Sequence, residues 1–117
     1  MTSIVFTNET ETLYATLDDT VYAREFAAML PLTVNISDYH GIEKVADLPR
    51  KLDTSAAPDS YEPKVGDITT YAPWGNLALF YQTFSNSRGL VRLGEFDEAA
   101  RSGLNTLNGP VRIDLAS

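Results

Sequence analysis

The stretch Gly66–Tyr81, GDITTYAPWGNLALFY, constrains this chain more than any other. Two strand-like runs, Asp67–Tyr71 and Leu77–Tyr81, flank the turn Ala72-Pro73-Trp74-Gly75-Asn76. Pro and Gly inside so short a connection punctuate the two runs and oblige the chain to turn a corner there. The stretch also holds the single tryptophan of the sequence and its densest group of aromatic residues. The rest of the chain has to be compatible with two adjoining strands at its centre.

The flanking sequence repeats the strand pattern. Ile4–Thr7 is a β-branched and aromatic run, and in Glu11–Leu17 the residues Leu13, Ala15 and Leu17 alternate with Thr12, Tyr14 and Thr16. Asn8-Glu9-Thr10 between them predicts a turn and an antiparallel pair. Leu32, Val34 and Ile36 alternate with Thr33 and Asn35, Ser37–Gly41 reads as a turn, and Glu43–Leu48 is a weaker strand ended by Pro49. Leu90, Val91 and Leu93 form another strand, and Val111, Ile113 and Leu115 a last one.

Two helices interrupt the strands. Asp18-Asp19-Thr20 supplies a cap and negative charge at a helix start, and Tyr22, Phe26, Met29 and Leu30 then draw one apolar stripe that Pro31 stops. Asp97 can cap a second helix, whose face is Ala100, Leu104 and Leu107 and whose end is Asn108-Gly109. Gly103 in its middle marks it as short or closely packed. Arg50–Val65 has no hydrophobic period and reads as one long loop tacked down by Leu52 and Tyr61, and Phe84–Gly89 is a second loop. Many short strands with few helices predict a mainly β fold, a closed or nearly closed antiparallel barrel. At 117 residues it is a single domain, residues 1–117.

The segments Ala28-Met29-Leu30-Pro31-Leu32, Leu48-Pro49-Arg50-Lys51-Leu52, Val65-Gly66-Asp67 and Tyr71-Ala72-Pro73-Trp74-Gly75-Asn76-Leu77-Ala78 occur in this order, followed by Leu90-Val91-Arg92-Leu93-Gly94 and a short helix. In this the chain resembles the small cyclophilin-like fold proteins of bacteria, over nearly its whole length. The resemblance implies a closed antiparallel β-barrel with two short helices capping its ends, in a branch of unassigned function. It also raises peptidyl-prolyl isomerase activity. True cyclophilins carry an arginine that polarises the prolyl amide, a glutamine before Gly-Gly-Asp, and a proline pocket with phenylalanine, tryptophan and histidine. Here Lys64-Val65-Gly66-Asp67 occupies the matching segment, with lysine for the glutamine and valine for one glycine. Arg50 lies upstream as the arginine would, at a longer spacing, and His40 lies far from the pocket histidine's place. Arg50 is therefore a catalytic candidate only in the isomerase reading, which is the alternative.

Charge narrows the partners. With 9 Lys and Arg against 16 Asp and Glu the net charge is −7, and no basic cluster is longer than Arg50-Lys51, which argues against nucleic acid and anionic membrane surfaces. There is no cysteine, so disulfides, thiolate nucleophiles and Cys-containing zinc sites are excluded. MTSIVFTNET lacks a basic n-region and a long apolar h-region, so the expected setting is cytoplasmic. One histidine among scattered carboxylates predicts neither a metal site nor a cofactor, and His40 in turn-forming sequence reads as an exposed loop residue.

What remains is a binding surface. Arg50, Leu52, Tyr71, Trp74, Asn76, Tyr81 and Arg88 are the candidate ligand-binding residues, a pocket floored by residues 71–81 and rimmed by the 50–65 loop. An arginine there can hold a carboxylate by two parallel hydrogen bonds, so the expected ligand is a small anionic or peptide-like molecule. The competing packing account puts Trp74 under the long loop and pairs Arg50 with Asp53 or Asp67. A homodimer formed through an exposed barrel face or strand edge is the third class.

Overall fold

A computed structural model describes residues 1–116 of the chain. The strands are β1 (Thr2–Thr7), β2 (Thr12–Leu17), β3 (Leu32–Tyr39), β4 (Glu43–Asp47), β5 (Ser60–Tyr61), β6 (Asp67–Tyr71), β7 (Asn76–Phe80), β8 (Ser87–Arg88), β9 (Leu90–Phe96) and β10 (Gly109–Leu115). The helix α1 spans Val21–Ala28, and a 3₁₀ helix spans Glu98–Asn105. Eight strands close into a barrel in the order β1-β10-β3-β4-β7-β6-β9-β2, every neighbouring pair antiparallel. The short strands β5 and β8 form a separate two-stranded ribbon.

The predicted alternation sets the barrel interior. Leu13, Ala15 and Leu17 point inward on β2, Val34 and Ile36 on β3, and Val111 and Ile113 on β10, all buried in one core. β9 departs from strict alternation: Leu93 and Phe96, three apart, are both fully buried. The register explains it, because Ile68 faces Gly94 while Thr69 faces Arg92, leaving an extra residue in β9 as a bulge. The bulge turns Phe96 back inside, where its ring centroid lies 4.8 Å from that of Phe6.

The two helices close opposite ends. α1 starts just beyond the end of β2 and sends Ala23 and Phe26 into the core. Its cap is Thr20, whose Oγ1 accepts the Ala23 N–H at 3.1 Å. The 3₁₀ helix lies at the start of β2, with Gly103 against Leu13 and Glu11, and buries Ala100 and Leu104. The expected second α-helix is thus a 3₁₀ helix, and Asp97 makes no side-chain cap bond. Gly109, expected as its cap, opens β10 instead, and the helix has already ended at Thr106.

Two other local expectations change. β3 runs on through Ser37–Tyr39, because Asp38 and Tyr39 pair with Lys44 and Glu43, so the turn shrinks to His40-Gly41-Ile42, with His40 and Gly41 at positive φ. Asp18 is not a helix cap: both its carboxylate oxygens accept from the Arg92 guanidinium, at 2.8 and 3.2 Å. Asp19 pairs with Arg24 on the surface of α1.

Candidate functional site

β7 is buried along its whole length. Leu77 and Leu79 face the barrel interior, and Ala78 and Phe80 face outward into a second, smaller apolar cluster with Leu90, bordered by Ile42, Val45, Tyr61 and Tyr71. What covers this outer face is the β5–β8 ribbon and the loops that carry it. Gly89 donates its N–H to Asp59 O at 3.0 Å, and Asn86 Nδ2 donates to Ser60 Oγ at 2.8 Å.

The ribbon is anchored to the barrel through Asp67. Its carboxylate is 2% exposed and accepts three bonds: from Tyr61 Oη at 2.6 Å, from the Lys64 N–H at 2.8 Å and from Arg92 Nη1 at 3.1 Å. One of these donors is backbone and two are side chains. Arg92 is held far on its charged side, first by its bonds to Asp18 and further by Tyr61 and Asp67. Burial, reinforced by the bond to Asp67, pushes the Tyr61 phenol up.

Beyond the ribbon the outer face stays open as a cleft of about 460 Å³. Tyr71, Trp74, Asn76 and Arg88 line it, as do Tyr39, His40, Glu43, Phe80, Phe84, Ser87 and Leu90. Its wall is aromatic. Trp74 meets Tyr71 edge-on at 5.1 Å between centroids and Tyr39 edge-on at 6.0 Å, and Tyr39 meets His40 at 4.2 Å. Such tilted pairs are the preferred geometry of aromatic rings. Asn76 is buried and its Oδ1 accepts the Tyr71 N–H at 3.2 Å, which ties the two ends of the Ala72–Gly75 turn together. Gly89 at φ +83° lets the chain pass close to this turn, since a Cβ there would lie 3.0 Å from Pro73 Cδ.

Trp74 itself is 58% exposed, so it does not pack under the long loop. The loop instead crosses the neighbouring glycine: a Cβ on Gly75 would stand 2.5 Å from Lys51 Cγ. A second depression of about 440 Å³ on the strands β3 and β4 also borders Trp74 and Asn76, with Thr33, Asn35, Ser37 and Asp47 as polar lining.

Of the candidate binding residues, four share the cleft: Tyr71, Trp74, Asn76 and Arg88. The other three stand elsewhere. Arg50 pairs with Glu25 of α1 at 2.6 Å, a partner in neither of the two accounts drawn from sequence. Leu52 is buried in the core, the anchor it was expected to be. Tyr81 donates its hydroxyl to Asp38 Oδ1 at 2.5 Å, and Lys44 Nζ lies 5.4 Å from its ring centroid. That bond holds the Asp38 carboxyl below its ordinary range and the Tyr81 phenol above its own. The rim differs from expectation too, being formed by the 84–88 segment and Tyr39–Glu43 rather than by residues 50–65.

Glu43 is the residue that sequence reading missed. It stands between Tyr39 on β3 and Phe80 on β7 in the barrel register. Among the described residues its carboxylate has neither an ion pair nor a side-chain hydrogen bond, and burial raises its pKa above the ordinary 4.5. His40 is exposed in its turn as expected, yet it lines the cleft as well. Among the described residues no group of three or more His, Asp or Glu converges as a metal site would require. No described helix is long and apolar enough to cross a membrane.

Comparison with known proteins agrees with this architecture. The solution structure of a hypothetical protein from Archaeoglobus fulgidus is similar, with a TM-score of 0.68 and 14% identity, over 98% of this chain and 95% of that one. No curated protein matches. The model of the cyclophilin-like family matches residues 6–116, and the chain belongs to that family.

Proposed function

We propose that this domain is a non-catalytic binding module whose outer-face cleft takes a short peptide-like ligand. One observation carries the reading: the only tryptophan is more than half exposed, yet held between two tyrosine rings set perpendicular to it, beside a cleft of about 460 Å³. Exposed aromatic side chains grouped around one cleft, here Tyr39, Trp74 and Phe84, mark a contact surface, and a ring restrained beforehand loses little entropy on binding. The depression that shares Trp74 gives an extended ligand a second seat across the same ring. Glu43 and Arg88 bring opposite charges to the cleft, which suits a peptide-like ligand better than a purely anionic one.

The isomerase alternative depended on Arg50, which is engaged by Glu25 and does not line the cleft. A protease-coupled prolyl-peptide assay should show no rate above background and no change on Arg50→Ala. A cytoplasmic setting without nucleic-acid or membrane partners belongs to the same proposal and suits an acidic, cysteine-free sequence. The test of binding is a titration with a panel of short peptides, followed by the emission of Trp74, which reports alone. Trp74→Phe retains a ring and Trp74→Ala removes it; with an extrinsic label as readout, the alanine variant should bind at least about tenfold more weakly. A panel without saturable binding, or a Trp74→Ala variant that binds as wild type does, would refute the reading.

A further inference from the structure

We infer that the ligand of this cleft carries a cationic amine, seated on the Glu43 carboxylate against the aromatic wall. The inference rests on the cleft being a ligand site, as proposed above, and adds the chemistry of one end of that ligand. Glu43 lies in register between the Tyr39 and Phe80 side chains, and all three line the cleft. Its own surroundings do not satisfy it. Lys44, next in sequence, projects to the opposite side of β4 and is held by Asp38 at 3.5 Å. Arg88 lines the same cleft from β8, but among the described residues it makes no ion pair with Glu43 or any other carboxylate.

A half-buried carboxylate without a partner weakens the fold that contains it, and a ligand cation relieves that penalty when it binds. The wall adds attraction of the same sign. Tyr39, Tyr71 and Trp74 line the cleft, and the negative faces of such rings draw substituted ammonium groups. The net charge of −7 also favours approach of a cation over an anion. The unpaired Arg88 guanidinium gives an opposite end of the ligand, such as a peptide carboxylate, a place of its own.

The decisive probes are choline and 3,3-dimethyl-1-butanol, which share a shape and differ in charge, titrated against the wild-type protein and E43Q with Trp74 emission as readout. Unblocked and N-acetylated forms of the tripeptides that bind in the peptide panel form a second arm, which separates a peptide amine from a small-molecule amine. The expected result is a preference of about tenfold or more for choline over the alcohol, reduced several-fold in E43Q to the part the aromatic wall supplies. Circular dichroism of E43Q should show the wild-type fold, with thermal stability at neutral pH no lower than wild type. Binding of peptides without any preference for an amine, or a choline preference that E43Q leaves intact, overturns the inference and leaves the cleft reading standing. If no probe and no peptide binds, both fail.

Discussion

Replacing Asp67 by asparagine tests how the outer face is assembled. The substitution keeps the size of the side chain and changes one carboxylate oxygen into an amide nitrogen. Asp67 accepts from Tyr61 Oη and the Lys64 N–H on one oxygen and from Arg92 Nη1 on the other. Whichever way the amide is turned, its NH₂ faces at least one of these donors, and no charge remains on the oxygen that faces the rest. A hydrogen bond to a charged group contributes about 1.5–3 kcal/mol, and removing one partner of a buried ion pair costs about 3–5 kcal/mol. Arg92 keeps its two bonds to Asp18 and an ion pair with Glu95 at 3.5 Å, so its guanidinium is not stranded. That places the expected loss near the lower end, at about 3 kcal/mol.

For a domain of this size such a loss lowers the melting temperature by roughly 10 °C. Urea unfolding measures the free energy directly, with Asp53→Asn as the control. Asp53 is exposed and accepts only from Ser55, so its loss should stay within about 0.5 kcal/mol. The location of the damage is the sharper readout. Amide exchange should accelerate in β5 and residues 62–65 well before it does in β1 and β10, since only the former depend on Asp67. An Asp67→Asn protein within 1 kcal/mol of wild type, or one whose β5 amides exchange as before, would refute the account of Asp67 as the anchor.

Gly94→Ala should cost about 2 kcal/mol in urea unfolding, because the added Cβ falls 2.3 Å from Thr16 O and 2.7 Å from Leu17 Cα, backbone atoms that cannot swing away; a loss under about 0.5 kcal/mol would mean that β2 and β9 give way more easily than close packing allows. Glu43→Gln should raise stability at neutral pH. Burial raises the folded pKa of Glu43, so the wild type gives up stability as pH climbs from the ordinary 4.5 towards that folded value, and the advantage of glutamine should vanish below pH 4.5, where the carboxyl is protonated in both states. A glutamine variant with the same advantage at acid and neutral pH contradicts this sign.

The barrel was legible because alternation is local. A strand that buries Leu13, Ala15 and Leu17 announces its inner face in its own sequence. Leu52 was legible for the same kind of reason, as the isolated aliphatic residue of a polar segment. Features that depend on pairing were not. The bulge in β9 is a property of its register with β6, and neither strand shows it alone. Asp18 precedes a good cap residue and so resembles helix-start chemistry, yet its partner Arg92 is 74 positions away. Arg50 and Glu25 are likewise separated by 25 positions, and charge alone gave no reason to prefer Glu25 over the nearer Asp53.

The cleft follows from the same distinction. The aromatic density of residues 71–81 located one wall, but an outer-face cleft also needs whatever stands on the adjoining strands. Tyr39 and Glu43 come to that wall because β3 continues past the point where its sequence turns polar, and because β4 pairs with both β3 and β7. A polar run such as Ser37-Asp38-Tyr39 reads as a turn when it is taken alone. In the barrel it is the projecting end of a hairpin whose Asp38 is tied to the Gly41 N–H at 2.9 Å and to Tyr81. The ribbon then supplies one side of the cleft. Its Tyr61 packs with Tyr71 on the outward residues of β7, its Ser87 and Arg88 line the cleft, and Trp74 is left 58% exposed. Trp74 stands in the turn after β6, at the far end of that strand from the Asp67 anchor, so the aromatic wall there is set by Tyr39 from β3 and Tyr71 from β6 rather than by the ribbon.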